Sequence, residues 1–342
     1  MRTFQTPSTM LPLGVAVAMT VLTAGRSAAG GFCSSTARLQ AQACEKEVDD
    51  DTDTGRAICL NLTDEEERAE CRNDLRESRQ EELTLCREQL GARRDLCDLI
   101  GEDRYDPDFD PAHFDTDFSN PTAPNTHFPL GIGNRWQYVG GDETITIEVL
   151  AKTKLIDGVT CVVVNDLVEA DGEAIEDTDD WFALAKNGDV YYCGEIARDF
   201  ETFDGDMPAE PELVEIEGSF KAGRDGDKPG LLFFGTPVVG VSHRQEWSVS
   251  NAEDAATILS TTYGYGSDPE LDQFVPQDLA DLLCAGDCVV IREFSPISPG
   301  EFEHKYFAPG VGKFLEVKPE DGEATQLVAC NVDPKCAALP TP

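Results

Sequence analysis

Two periods of apolar spacing organise this chain. From Leu62 to Leu99 the pattern is helical, and Cys71, Leu75, Cys86, Leu90 and Cys97 mark one stripe among Glu, Arg and Gln. Thr63 or Asp64 can cap this helix, and Glu65, Glu66 and Glu67 suit the positive end of its dipole. An earlier helix over about 34–60 reads as weaker, because the run Asp49-Asp50-Asp51-Thr52-Asp53-Thr54-Gly55 falls inside it. From about Gly131 the period changes to two. Thr144–Leu150, Thr160–Val164 and Phe314–Val317 alternate, and further short runs begin near Arg135, Trp181, Val190, Leu213, Leu231, Ile258, Val289 and Glu303. Asp157-Gly158, Asp171-Gly172, Asn187-Gly188, Asp204-Gly205, Asp225-Gly226 and Asp321-Gly322 punctuate them as hairpin-turn residues. Ten or so strands without a βαβ rhythm predict an antiparallel meander, closed into a barrel or curled into an open half-barrel. One short helix is expected within 268–286.

The expected fold class is therefore α+β: an N-terminal antiparallel helical hairpin, then an antiparallel β domain. The boundaries read as a signal peptide over 1–29, a hairpin over 32–100, an extended Pro/Asp-rich linker over 101–130, a β domain over 131–330 and a tail over 331–342. The signal reading rests on Arg2, the apolar run LPLGVAVAMTVLTAG and the small residues Ser27-Ala28-Ala29. That run is short for a membrane span, and no later stretch is long and apolar enough, so no transmembrane segment is expected. In the linker, Pro107, Pro111, Pro121, Pro124 and Pro129 exclude helix and central strand. Its aromatics Tyr105, Phe109, Phe114 and Phe118 are expected to tack it onto a domain surface.

Cysteine spacing sharpens the hairpin. Cys33, Cys44, Cys59, Cys71, Cys86 and Cys97 are separated by 11, 15, 12, 15 and 11 residues, a palindrome centred on residue 65. Two antiparallel helices folded there bring Cys33 to Cys97, Cys44 to Cys86 and Cys59 to Cys71. Sequential pairing would join positions about 16 Å apart along one helix, beyond disulfide reach. Cys284 with Cys288 and Cys330 with Cys336 each bracket a turn, which leaves Cys161 with Cys193. Twelve cysteines after an export signal read as six disulfides in an oxidising compartment, so the protein is expected to be secreted or periplasmic.

Charge excludes some partners. With 27 Lys+Arg against 66 Asp+Glu, the formal charge of -39 argues against nucleic acid and anionic membrane surfaces. A solvated exterior is the plain reading of such acidity, and cation binding the sharper one. The Asp49 run fails as a calcium loop, because its sixth and twelfth positions are Thr54 and Leu60 where Gly and Glu are required.

The chemistry-bearing residues are few. No HExxH, GxSxG or P-loop occurs, and four histidines are present: His113, His127, His243 and His304. His304 is the candidate ligand or base at a barrel mouth, and equally a strand histidine bonded to a carboxylate. Glu176-Asp177-Thr178-Asp179-Asp180 holds candidate calcium ligands in Asp177, Asp179 and Asp180, and a candidate acid pair. Trp136, Trp181, Tyr191, Trp247 and Phe220 fall on predicted strands, as core residues or as lining of a concave cavity, the first four being candidate ligand contacts. Lys221-Ala222-Gly223-Arg224-Asp225-Gly226-Asp227-Lys228 is one locally basic loop, set to meet an anion or to neutralise its neighbours.

The strings GNRWQYV, EDTDDWFALAKNGDVYYCGE, FETFDGD, GSFKAGRDGDKPG and EHKYFAPGVG resemble a family of uncharacterised exported bacterial proteins, and CREQLGARRDLCDLIGEDRYDPDFDP looks like the N-terminal part of some members. The resemblance covers most of residues 32–330 and implies no activity and no catalytic residue. Tyr192-Cys193 stands where that pattern has an aromatic and an apolar residue, which hints at an added disulfide. The strand pattern also looks like lipoprotein-carrier half-barrels, an analogy of fold alone.

These readings lead to a secreted, non-catalytic protein whose β domain binds an apolar or extracellular ligand. A calcium-dependent extracellular structural or adhesive protein is the second reading. The third is a hydrolase with a spatial acid or histidine site. No cofactor is expected, calcium being the one ion the acidic clusters would admit.

Overall fold

The computed structural model describes residues 31–342, and the proposed signal peptide lies outside the described residues. Two helices open the fold, α1 over Phe32–Asn61 and α2 over Glu65–Ile100. Asp64 caps α2 by accepting hydrogen bonds from the Glu66 and Glu67 amides at 2.8 and 3.1 Å. Gly101, at φ 96°, ends it with its amide on the Cys97 carbonyl.

Disulfides Cys33–Cys97, Cys44–Cys86 and Cys59–Cys71 form the nested ladder, with Cα separations of 5.7, 5.8 and 5.7 Å. The helix expected over about 34–60 is present, and α1 runs unbroken through the weakening run Asp49–Gly55. Tertiary constraint outweighs the local preference here: Arg79 of α2 pairs with Asp49 at 2.7 Å, and the bridges on either side hold the helix in place. Gly55 has a packing reason, since a Cβ there would lie 2.5 Å from Leu75 Cδ1 of α2.

Fifteen strands follow. The first meander comprises β1 (Arg135–Gly140), β2 (Glu143–Ile156), β3 (Val159–Ala170), β4 (Glu173–Leu184) and β5 (Val190–Ile196). Short strands come next: β6 (Asp199–Glu201), β7 (Glu212–Glu215), β8 (Phe220–Lys221), β9 (Gly230–Phe233) and β10 (Ser242–Arg244). The second meander comprises β11 (Ala255–Tyr263), β12 (Cys288–Phe294), β13 (Glu303–Ala308), β14 (Gly312–Val317) and β15 (Ala324–Cys330). The short helix α3 is Gln277–Leu283.

All the named strands belong to one antiparallel sheet. Its order runs from β10 through β15, then β1 through β5, to β8, with β6 and β7 hung on β4 and β9 on β5. Pairing of β15 with β1, Leu327 opposite Tyr138, joins the two meanders. The order has two ends, so the sheet is an open half-barrel. Its ends meet at the isolated bridge Lys228↔Trp247. There Gly230 lies so close to the Gln245 carbonyl that any Cβ would overlap it.

Alternation sorts side chains to two faces. The main core spans both faces: Val162, Val164, Phe182, Tyr192, Ile291, Phe307 and Leu327 lie on the concave side, and Tyr263, Tyr306 and the α3 residues Leu279 and Leu283 lie behind the second meander. The convex face of β3–β5 carries a smaller cluster around Val163, Trp181, Ala183 and the Cys161–Cys193 disulfide. Linker residues cover that cluster: Phe114 is buried and packs edge-on against Phe109 and Tyr191. Cys284–Cys288 and Cys330–Cys336 complete the six disulfides. Residues 31–342 form one compact unit, and among the described residues no helix is long and apolar enough to cross a membrane.

Candidate functional site

The concave face encloses a cavity of about 300 Å³. Its apolar wall is aromatic: Phe128, Trp136, Tyr138, Phe182, Tyr192, Phe233 and Phe307. Phe233 on β9 and Phe307 on β13 reach across from opposite halves of the sheet, with ring centroids 4.7 Å apart. Two aromatics are anchored by their polar tips, as burial requires. The Trp136 indole donates to the Val311 carbonyl at 2.7 Å, and the Tyr138 hydroxyl to the Lys313 carbonyl at 2.9 Å.

The other wall is acidic, with Asp166, Asp180, Glu246, Asp254 and Glu293 beside Lys305 and Lys313. Asp166, Asp180, Glu293, Lys305 and Lys313 take the inward phase of their strands, Glu246 and Asp254 lie in the connection between β10 and β11, and register brings them together. Lys305 stands opposite Glu316 on β14, and its ammonium contacts Glu293, Glu303 at 3.6 Å and Glu316 at 3.5 Å. Glu316 also binds Lys313 at 2.8 Å. Burial opposes charge on Lys305, but Glu293, Glu316 and Glu303 hold its pKa well above the ordinary range. Burial likewise opposes charge on Glu316, and Lys305 and Lys313 overcome it, so its carboxylate stays ionised.

The remaining carboxyls lack such compensation. Burial, more than neighbouring charge, pushes Asp166 and Asp254 up to about 6. It pushes Glu195, behind the same wall, up to about 7, and raises Asp180 and Glu246 well above the carboxylate range. The Tyr192 hydroxyl donates to Asp180. Two acceptors in this cavity have no donor: Asp166 Oδ1 and Gln245 Oε1 are both buried and unpartnered. Gln245 is only 3% exposed. Its Nε2 is fixed on the Leu232 carbonyl at 3.2 Å, which leaves Oε1 as the group turned to the cavity.

Of the aromatics singled out in the sequence, Trp136 lines this cavity. Trp181 is on the convex face, where the Lys154 ammonium sits 3.5 Å and that of Lys221 4.8 Å from its ring centroid. Tyr191 and Trp247 line a separate groove between the hairpin and the sheet. Phe220 is buried against Tyr192. His304 is on the convex face of β13, beside Phe302 and Arg292. Burial and the Arg292 charge lower its pKa. The acidic run 176–180 is strand, so alternation divides it. Asp180 faces the cavity, while Asp177 and Asp179 face Arg198 at 3.4 and 3.5 Å on the other side. The structure does not bring Asp177, Asp179 and Asp180 together, and among the described residues no group of His, Cys, Asp or Glu is placed to hold a metal ion. In the basic loop, Lys228 pairs with Asp106 of the linker at 2.8 Å.

Asp166, Gln245, Glu246, Asp254, Glu293 and Lys305 were not singled out by sequence reasoning. Asp166 carried a readable signal, because it follows Val162 and Val164 at the inward phase of one strand. A charge at the core phase of an alternating run is costly unless it has a use. Among 66 acidic residues this position does not stand out by type.

No protein-family model, curated protein or solved structure matches this chain.

Proposed function

We propose that this is an exported, non-catalytic binding protein whose half-barrel cavity holds a small ligand with an apolar body and a cationic, hydrogen-bond-donating end. The observation that carries this reading is the pair of donorless acceptors, Asp166 Oδ1 and Gln245 Oε1, facing a cavity walled by seven aromatic rings. An ammonium group supplies donors to both acceptors and a counter-charge to the carboxylates, and the rings suit both an apolar body and a cation. The volume, about 300 Å³, is that of a small-molecule pocket. The lining has no Ser, Cys or His, so it offers no nucleophile–base pair of the Ser–His or Cys–His kind. Six disulfides fit an oxidising compartment outside the cytosol.

Titration with phenethylamine, read by tryptophan fluorescence and calorimetry, tests the proposal. Hydrocinnamate, nearly the same shape with the opposite charge, is the control. Saturable binding of the amine, weakened by Asp166→Asn and absent for hydrocinnamate at this cavity, is expected. Absence of saturation at millimolar amine, or an amine affinity indifferent to Asp166→Asn and Gln245→Leu, would overturn it.

A further inference from the structure

A second concavity, of about 750 Å³, lies between the hairpin and the sheet. It shares no lining residue with the aromatic cavity. Its floor contains two arginines. Arg93 of α2 is 3% exposed, and Arg244 of β10 is 8% exposed.

Their electrostatic situations differ. Arg93 makes a two-point ion pair with Glu253, Nε to Oε2 at 2.8 Å and Nη2 to Oε1 at 3.1 Å. Glu253 accepts further hydrogen bonds from the Gln40 amide and from the Ser250 backbone amide at 2.7 Å. Its charge is thereby committed to Arg93. Arg244 has no such partner. Among the described residues no carboxylate lies within 4.0 Å of its guanidinium. Its contacts are the Cys33 sulfur at 3.7 Å and the Tyr105 ring, centroid at 5.9 Å. Two donors are buried without acceptors, Arg244 Nε and Arg93 Nη1.

Two guanidinium charges thus stand against one carboxylate in a desolvated place. A buried charge without a counter-charge is strongly unfavourable. Glu253 is the carboxylate whose charge reaches Arg244, and it is already bound to Arg93. We infer that this groove binds an oxyanion, with the Arg244 guanidinium as its primary contact and Arg93 Nη1 as a second donor. Guanidinium donors match a planar carboxylate at two points. The rest of the groove indicates what the anion is attached to. Tyr105 and Trp247 stack at 5.9 Å, and Tyr191 and Leu231 line the same wall. An apolar, ring-bearing carboxylate fits these surfaces better than a free inorganic ion. His243 lines the groove as well, its pKa lowered by burial to about 4, so it adds no competing positive charge near neutrality.

Benzoate and inorganic phosphate titrated separately into the full chain by calorimetry test the inference. Benzoate is expected to saturate one site, to bind more tightly than phosphate, and to lose roughly tenfold or more of its affinity in Arg244→Gln. Arg244→Lys should retain part of it, because the charge remains and the two-point geometry does not. Isotope-filtered NOE NMR on the unmodified protein keeps the test informative if either variant fails to fold: bound benzoate protons should show cross-relaxation with the Trp247 ring. No saturable benzoate binding, binding indifferent to Arg244→Gln, or phosphate binding as tightly as benzoate would each overturn the proposal.

Discussion

The Arg93 guanidinium on the hairpin and the Glu253 carboxylate in the loop that leads into β11 form a buried, two-point ion pair, with contacts of 2.8 and 3.1 Å. Both residues are 3% exposed. It is a principal polar tie between the two parts of the fold, with the Gln89 amide on the Ile297 carbonyl at 2.9 Å as a second.

Breaking one side of that pair should cost more than removing both. Glu253→Gln or Arg93→Met leaves a buried charge alone and should destabilise the protein by about 3–5 kcal/mol, whereas the double variant should recover much of the loss. Urea unfolding of the three variants measures this. A double variant as unstable as the sum of the singles would show that the two side chains act independently and would overturn the orphaned-charge account.

Removal of the central hairpin bridge should loosen the hairpin without unfolding the sheet. Cys44 and Cys86 are separated by 42 residues. Replacing both by Ser should cost about 2–4 kcal/mol, toward the lower figure because the bridges on either side still constrain the loop. Hydrogen exchange should quicken in residues 40–52 and 80–90 and stay unchanged in β12–β14. Uniformly faster exchange across the sheet would contradict this separation.

Gly230→Ala should be severely destabilising, by about 3 kcal/mol or more, because its Cβ has no room against the Gln245 carbonyl. The same change displaces Gln245 from the Leu232 carbonyl, so amine binding should fall with it. Thermal unfolding combined with the phenethylamine titration checks both effects. A fully stable Gly230→Ala protein would mean that the seam between β9 and β10 yields easily.

Acid should stabilise this protein over the neutral range. Asp166 and Asp254 titrate near 6 and Glu195 near 7 in the folded state, raised chiefly by burial. A raised folded pKa contributes stability that is complete below the unfolded value, about 4, and is lost as pH rises through the folded one. His243, lowered to about 4, acts in the opposite sense, as its contribution fades when pH falls below about 6.5. The carboxyls outnumber it, since Asp180 and Glu246 are raised as well. The melting temperature should therefore be several degrees higher near pH 5 than near pH 8, and Asp254→Asn should flatten that slope. A melting temperature that climbs from pH 5 to pH 8 would contradict the burial of these carboxyls.

Much of the architecture was legible because it is set by local spacing. The cysteine palindrome favoured the hairpin and its nested bridges, since two antiparallel helices folded at its centre bring the three pairs face to face and helical rise rules out sequential pairing. The Asp-Gly and Asn-Gly turns determined the meander, and the left-handed backbone at Asp171 (φ 53°) and Gly172 (φ 83°) is the conformation such a turn needs. The binding sites were decided only in three dimensions. Period two tells which residues share a face, but not which face becomes concave. It therefore left Trp136 and Trp181 equivalent, although pairing of β15 with β1 curls the sheet around the first and leaves the second outside. Asp166 and Lys305 are ordinary strand charges in the sequence, and Glu246 an ordinary loop charge. Register across non-consecutive strands, and the burial that follows from it, turn them into one wall. Arg244 becomes an uncompensated charge only because α2 docks beside it and Glu253 is already bound to Arg93. Those are long-range relations, between residues 160 positions apart for Arg93 with Glu253 and 211 for Arg244 with Cys33, and no local pattern encodes them.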